Sequence, residues 1–505
     1  MQNLTSAIRA YQEALGIEKV HTKENILHSY NQNLTEYSFQ PIEVILYPEN
    51  RHEVEKIIAT ANEYKMALFP ISSGRNWGLG SKLPVEDRVT AIVDLKYMNK
   101  IIEVNTTFNY AVIEPGVTQE QLYRYLEENH ISLMINVTGS GKATSIAGNI
   151  MERGVGMSRQ RTKDLRGLEI VNGNGMVVET GFGHYSQSHN ANSQPIFYTH
   201  GLGPDLTHAF TQSNFGIVTK LIIDLLPKED VTVSLFQFET SKMSKILDAM
   251  KELRIKNIIG DCFEMDSHND PRLADLFFSD VMHNNDNMWY AWGAFYGSEE
   301  WRMLIQKEIK SRVEKYCAGV HFFDSTKNWE EYSEPVRIRL KIQSGIPTDY
   351  SLITMAKAYN IDLKNETDMD IDQHKQVPGF VCALPAIPFD GQAVKEIIQT
   401  VESISDKMGI TPALTFSLIG EYSLEGFFRV YFNRSNVSEV MQAHEWNKVI
   451  HETLEAKGIY PYRVNNAQMA HFVNRPENSF WETVKKIKSV LDPNTIIAPG
   501  KYCPV

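Results

Sequence analysis

The stretch Pro70-Ile71-Ser72-Ser73-Gly74-Arg75-Asn76-Trp77-Gly78-Leu79-Gly80 constrains this chain most. Three glycines within seven residues follow the apolar run Met66-Ala67-Leu68-Phe69, whose pattern predicts a buried strand. Glycine takes positive φ without a Cβ clash, so successive N–H groups can turn inward and the backbone can approach a ligand closely. Such a loop suits a pyrophosphate, which needs backbone donors and no committed side chain. The same composition also makes a plain turn. Its spacing matches neither G-x-G-x-x-G nor G-x-x-x-x-G-K-[ST], so neither a Rossmann site nor a P-loop follows.

A second segment raises the first above a turn. Thr138-Gly139-Ser140-Gly141-Lys142-Ala143-Thr144-Ser145-Ile146-Ala147-Gly148-Asn149 continues through Glu152-Arg153-Gly154-Val155-Gly156. Backbone and hydroxyl donors over about 20 positions suit a large polar cofactor better than a small substrate, with a surface loop as the alternative. Partners of other kinds are disfavoured. The net charge of -12 and the lack of a basic run argue against nucleic acid. No apolar run of 18 residues occurs, and the segment from Met1 to Gly16 has no apolar h-region, so neither membrane insertion nor a signal peptide is expected. Cys262, Cys317, Cys382 and Cys503 lie far apart with no C-x-x-C, which argues against zinc and disulfides and fits a cytoplasmic protein with no metal.

At 505 residues the chain is long enough for about two to four domains. Val54, Ile57, Ile58, Ala61 and Tyr64 predict a helix leading into the strand before the first loop. Thr90 to Leu95 reads as a second strand, and Ile101 to Val104 with Tyr110 to Glu114 as a hairpin. Thr118 is placed to cap the next helix, with Gln121 as its capping-box partner. Leu168 to Val171 and Met176 to Glu179 form another hairpin across Asn172-Gly173-Asn174-Gly175. Beyond about Val231 the glycine clusters thin out, and Val437 to Lys457 reads as an amphipathic helix with Val440, Met441, His444, Val449 and Ile450 on or near one face. Asn360 to Gln376 is an acidic excursion, and Phe480 to Leu491 a final helix. Short strands alternating with helices predict an α+β fold.

Taken in order, the motifs are Pro70-Ile71-Ser72-x-Gly74-Arg75-Asn76, Glu114-Pro115-Gly116-Val117-Thr118, Gly148-Asn149 and Glu152-Arg153-Gly154-Val155-Gly156. Gly203-Pro204, Ser213-Asn214-x-Gly216-Ile217-Val218-Thr219-Lys220, Gly345-Ile346-Pro347-Thr348 and Ile497-Ala498-Pro499-Gly500-Lys501 follow. Together they resemble the vanillyl-alcohol oxidase and p-cresol methylhydroxylase flavoprotein family across nearly the whole chain. The resemblance implies a two-domain fold: an FAD-binding domain from residues 1–228, completed by 462–505, and a cap domain of 229–461 whose antiparallel sheet covers the flavin ring. It also implies a homo-oligomer, a homodimer. FAD would meet Ser72, Ser73, Gly74, Arg75, Asn76, Trp77, Gly78 and Leu79 of the first loop, and Pro115 with Gly116. The second segment would add Thr138, Gly139, Ser145, Gly148, Asn149, Gly154 and Gly156, followed by Gly216, Val218 and Lys501.

In that family a substrate lying against the flavin loses a hydride to N5, and positive charge near N1 stabilises the reduced ring. Tyr462-Arg463 aligns with the family's Tyr-Arg pair, so Arg463 is the expected cation, with Lys501 assisting. Alternation along the strand containing Glu421, Tyr422 and Glu425 puts Tyr422 with Gly426 and Phe428 on one face and Glu421 with Glu425 on the other. Tyr422 and Tyr462 are therefore the acid–base candidates, with Leu79, Gly426 and Phe428 as pocket residues.

Departures from the family matter as much. Its phenol oxidases carry a tyrosine where this chain has Leu79, and a catalytic aspartate where this chain has Thr138-Gly139-Ser140. Gly426 stands where vanillyl-alcohol oxidase has its flavin-tethering histidine. The expectation is an FAD-dependent oxidase or dehydrogenase with non-covalent FAD, a tether from Tyr422 being the alternative. Its substrate would be a small organic molecule other than a simple para-substituted phenol, and its electron acceptor O2 or a partner protein. The other class is a flavin-fold subunit that has lost redox chemistry and works by binding.

Overall fold

Apolar residues at 54, 57, 58 and 61 wind into the helix Arg51–Tyr64, which the Asn50 side chain caps by accepting the Glu53 N–H at 3.0 Å. It delivers the chain into the strand that precedes the first glycine loop. The computed structural model describes residues 2–187, 196–261, 263–271, 273, 287–361, 377–475 and 478–504. Cys262 and residues 362–376 of the expected acidic excursion lie outside them.

Strands β1 (Val20–His21), β2 (Ile42–Leu46), β3 (Ala67–Ile71) and β4 (Thr90–Asp94) form one sheet in the order β1-β2-β4-β3. Both β2 and β3 run parallel to β4, and all five residues of β4 are buried. The end of the chain returns here. Leu68 donates to the Ile496 carbonyl and accepts from the Ala498 N–H, each at 2.7 Å, and Ile496, Ile497 and Ala498 join this core.

A second sheet contains β5 (Ile101–Asn105), β6 (Tyr110–Ile113), β7 (Leu165–Asn172), β8 (Val177–Glu179) and β9 (Gly216–Asp224), in the order β5-β6-β9-β7-β8. Both expected hairpins are present, as β5/β6 and β7/β8. Thr118 caps the following helix by accepting the Gln121 N–H at 3.2 Å. The Gln121 side chain turns away and donates to the Asn99 carbonyl, so only half of the capping box forms.

The cap is an eight-stranded antiparallel sheet. Its strands are β10 (Val231–Glu239), β11 (Glu264–Ser267), β12 (Met288–Tyr296), β13 (Gly319–Asp324), β14 (Gly379–Pro388), β15 (Ala413–Leu418), β16 (Ser423–Phe432) and β17 (Pro461–Arg463), ordered β13-β10-β12-β11-β15-β16-β14-β17. One face packs on the helices Met243–Ile255, Glu299–Val313, Gly391–Met408 and Val437–Ala456 through Phe236, Met265, Phe416 and Phe428. Helix Val437–Ala456 is rotated from expectation: it buries Ala443, Trp446, Ile450 and Leu454 and leaves Met441 exposed. The opposite face of the sheet covers the glycine loops. The edge strand β17 pairs with Leu384 and Pro385, so the domain boundary expected at 461/462 falls inside a strand of the cap sheet.

Candidate active site

The first glycine loop leaves β3 and forms the floor of a long cleft. Ser72, Ser73, Gly74, Arg75, Asn76, Trp77 and Leu79 line it. Gly74 and Gly78 sit at φ 65° and 63°, the left-handed region. Gly78 stands behind the wall: a Cβ there would lie 2.6 Å from the Phe380 ring and 2.9 Å from the Cys382 sulfur. Glycine is needed at that point because the loop closes against the cap sheet.

The second segment lies against the first. Ser145 caps the helix Ile146–Met151 by accepting the Gly148 N–H at 3.0 Å, donates its own hydroxyl to the Pro115 carbonyl, and donates its backbone N–H to Ser73 Oγ at 3.2 Å. A Cβ on Gly148 would come within 2.7 Å of Ser72 Oγ, so glycine lets the two loops touch. Pro115, Thr138, Gly139, Ser145, Gly148, Asn149, Gly156, Gly216, Val218 and Lys501 all line the cleft. Gly116 and Gly154 do not. Gly116 packs against the carbonyls of Leu95, Lys96 and Met98, and Gly154 against the Asn149 side chain.

The cap supplies the opposite wall, and here the expected strand face is reversed. Glu425, Phe427, Arg429 and Tyr431 of β16 line the cleft. Leu424, Phe428, Val430 and Phe432 point the other way into the helix-packed core. Tyr422 is 70% exposed and outside the cleft, which removes it as an acid–base candidate and as a tether. Phe428 is fully buried, 5.5 Å from Phe416 between ring centroids, and does not line the cleft. A Cβ on Gly426 would meet Ile387 and Phe428, so that position also faces the core. Alternation was the right rule. The division into a Gly426 and Phe428 face and a Glu425 face holds, but the pocket lies on the Glu425 side, and Tyr422 precedes the strand and points to solvent.

Tyr462 and Arg463 enter from the edge strand β17. Arg463 donates from Nη2 to Asn76 Oδ1 at 2.8 Å, and the Tyr462 phenol lies beside the Glu425 carboxyl. Burial pushes Glu425 up to about 7, against the pull of Tyr462 and Arg463 and with the help of Glu264. Burial likewise drives the Tyr462 phenol well above its ordinary value, and the adjacent Glu425 carboxyl adds to it. Lys501 pairs with Glu152 Oε1 at 2.7 Å, and the Tyr502 hydroxyl donates to the other oxygen at 2.5 Å. Burial opposes ionisation of Glu152, but Lys501 and Arg463 outweigh it and hold its carboxyl below the usual range. Lys501 is therefore charge-matched.

Sequence reasoning missed Glu425, Phe427, Arg429, Glu152 and Tyr502. The period-two pattern held the first three in reserve on the other face, and Tyr502 directly follows Lys501. Arg429 is almost fully buried, ion-paired with Asp270 at 2.6 Å and stacked over Phe427 at 4.1 Å.

The cleft spans about 2310 Å³ including its open mouth and runs from the two glycine loops to the cap wall. Among the described residues, nine buried polar atoms of cleft-lining residues have no protein partner: Trp77 Nε1, Ser81 Oγ, Asn149 Oδ1, Asn214 Oδ1 and Arg463 Nε, and on the cap side Trp292 Nε1, Glu425 Oε2 and Arg429 Nε and Nη1. Unpaired buried polar groups are costly, and their lining a cleft that two glycine loops border fits a large polar ligand such as FAD. Among the described residues no histidine lines the cleft; Tyr431, Tyr462 and Tyr502 do.

Residues 42–181 match the FAD binding domain family. Over 99% of its length the chain is 26% identical to the 1'-carboxy-chondrochloren decarboxylase of Chondromyces crocatus, covering 97% of that protein. It is 27% identical to the flavoprotein subunit of the hydroxylating 4-cresol dehydrogenase of Pseudomonas putida, over 98% of this chain and 94% of that one. The crystal structure of p-cresol methylhydroxylase with substrate bound superposes with a TM-score of 0.86 at 24% identity, covering 99% of this chain and 97% of the other. That last likeness is one of fold.

Proposed function

We propose that this FAD-binding oxidoreductase, a chain of the p-cresol methylhydroxylase fold, oxidises a small organic molecule held between the cap sheet and the glycine loops. The observation that carries the reading is Arg463, a cation in the cleft wall tied to the first glycine loop through Asn76. Bound FAD supplies a two-electron acceptor for hydride. Ser72 to Trp77 with Leu79, then Thr138, Gly139, Ser145, Gly148, Asn149, Gly156, Gly216 and Val218, hold the cofactor. Arg463 meets the negative charge that reduction brings, because Lys501 is matched by Glu152. The cofactor domain comprises the N-terminal half and the tail beyond β17, and the cap the section between.

The FAD is non-covalent in this reading, supported by the lack of a lining histidine among the described residues and the exposure of Tyr422. Simple para-substituted phenols are poor substrates, since Leu79 in the cleft wall offers no hydrogen bond to a phenolate. The two full-length relatives are named for different reactions, a decarboxylase and a hydroxylating dehydrogenase, so the class of redox chemistry is inferred and not their substrates. No helix among the described residues is long and apolar enough to cross a membrane. A cytoplasmic homodimer completes the reading, supported by free Cys317, Cys382 and Cys503 and by exposed Phe480, Ile487 and Val490 on the helix Ser479–Leu491.

The test is anaerobic bleaching of the flavin band by a panel of alcohols, phenols, amines and 2-hydroxy acids, followed by exposure to air. Bleaching by one class supports the reading, and rapid recolouring in air identifies O2 as acceptor. A flavin that dithionite reduces and nothing in the panel bleaches overturns it.

A further inference from the structure

The cap wall presents one ionisable group that the reading above leaves unused. Glu425 is 6% exposed and lines the cleft beside Tyr462. Its Oε2 has no hydrogen-bond partner among the described residues. A buried carboxyl oxygen without a partner is costly, and one in the wall of a ligand cleft has an evident use. Phe427 follows it on the same strand face, and Phe263, Trp292, Phe380 and Tyr431 add apolar surface around the same space.

We propose that Glu425 is a catalytic base that takes the hydroxyl proton of an alcohol substrate with an aromatic or otherwise apolar body. The proposal rests on the FAD-dependent oxidation proposed above. The step balances as follows. The substrate O–H bond breaks and its proton joins the Glu425 carboxylate. The adjacent C–H leaves with its electron pair to bound FAD, the oxidant, and the carbon–oxygen bond becomes a carbonyl. The substrate loses two electrons and two hydrogens, FAD gains the hydride, and Glu425 later returns its proton to water.

Three features favour an alcohol over a phenol. The Tyr462 hydroxyl lies beside the Glu425 carboxyl, whose Oε2 has no hydrogen-bond partner among the described residues. A phenolate brought to Tyr462 would face the Glu425 carboxylate, and like charges a few ångströms apart repel strongly in a dry cleft. An alcohol arrives neutral and needs a base at the carbon that is oxidised.

The surroundings allow Glu425 to ionise near neutrality. Tyr462 and Arg463 face it from β17 and favour the carboxylate, and Glu264 of β11, itself paired with Arg339 at 2.9 Å, disfavours it. Cys382 of β14 has a thiol pushed up to about 12 by burial, so it stays neutral. Ser417 of β15 pairs with Glu425 and carries no charge. Arg429, further along β16, is matched by Asp270.

The experiment uses FAD-loaded wild type, Glu425→Gln and Glu425→Asp. Benzyl alcohol and its ring-substituted relatives are the probes, and anaerobic flavin bleaching is followed by stopped flow from pH 5 to 9. In wild type the limiting rate should rise with pH through about 7. Glu425→Gln should lower it roughly 10²–10⁴-fold and flatten the profile, while Glu425→Asp should keep the rising limb at reduced rate. Infrared titration supplies a readout independent of turnover: a protonated carboxyl that titrates near pH 7 in wild type and is missing in Glu425→Gln. The glutamine variant should keep its FAD and melt no lower, since a buried amide costs less than a buried carboxylate. Wild-type rate and profile in Glu425→Gln, or an unchanged infrared titration, would overturn the proposal. Bleaching by phenols or amines but by no alcohol would overturn it too and leave the oxidoreductase reading standing. No bleaching by any class would sink that reading instead.

Discussion

Arg463 Nη2 donates to Asn76 Oδ1 at 2.8 Å across 387 residues of sequence, and this bond joins the last strand of the cap sheet to the first glycine loop. A guanidinium fixed in this way cannot swing to the surface when the cleft is empty. Its Nε is buried and has no hydrogen-bond partner among the described residues, so the cation is partly satisfied by protein and partly reserved. Lys501, the other expected cation, has its charge matched by Glu152.

Arg463→Met is therefore expected to lower the reduction potential of the bound flavin and to slow flavin reduction by roughly 10²–10³, about 3–4 kcal/mol, with a smaller effect on substrate affinity. Potentiometric titration beside stopped-flow bleaching checks this. A native potential in a mutant that retains FAD would place the charge elsewhere.

Gly78→Val should lose FAD occupancy and stability together. The residue sits at φ 63°, and a side chain would press on Phe380 and Cys382 across the junction of loop and cap. Forcing a β-branched residue into that conformation and that space should cost about 2–4 kcal/mol. Thermal melts with flavin quantitation read both effects, and native values for either would show that the loop can relax.

Phe427 and Phe428 offer a paired test of the strand phase. Phe428→Ala should cost about 3–5 kcal/mol of stability and leave ligand binding alone, because its ring fills the helix-packed core. Phe427→Ala should do the reverse, since its ring lines the cleft. Denaturant midpoints and flavin perturbation by a bound aryl alcohol separate the two. Equal destabilisation by both changes would contradict the observed faces.

Acid precipitation should release the flavin into the supernatant, as no histidine among the described residues lines the cleft and Tyr422 lies outside it. Colour remaining in the pellet would direct peptide mapping to Tyr431, Tyr462 or Cys382, which do line it.

Burial lowers the imidazole of His451 to about 4, so it folds uncharged. The unfolded chain takes up a proton below about 6.5 while the folded one does not, so stability is lost as pH falls from about 6.5 to 4 and no further below. The loss should approach 3 kcal/mol at about 1.4 kcal/mol per pH unit. Urea midpoints at pH 7 and pH 5 should differ more in wild type than in His451→Leu, and an equal difference would assign the pH dependence to other groups.

Much of this molecule was legible before its structure. The strand before the first loop, the two hairpins, the Thr118 cap and the final helix arise from spacing, glycine conformation and capping, which act within a few residues. The two glycine segments announced a large polar ligand for the same reason: backbone donors and missing Cβ atoms are local properties. Even the division of β16 into two faces was available, because alternation follows from the pleat.

Which face of β16 lines the cleft was not local. It was decided by Ala443, Trp446 and Ile450 packing on the far side of the cap sheet and claiming Phe428 for the core. That choice turned Glu425 toward the cleft and left Tyr422 in water. The charges behave alike. Lys501 carried a cation in any reading, but only its closeness to Glu152 removed it as a free one. Composition and period set what each segment can be. Where a charge ends up, and at what pH it ionises, depends on groups hundreds of residues away that burial and the low dielectric of the cleft couple together.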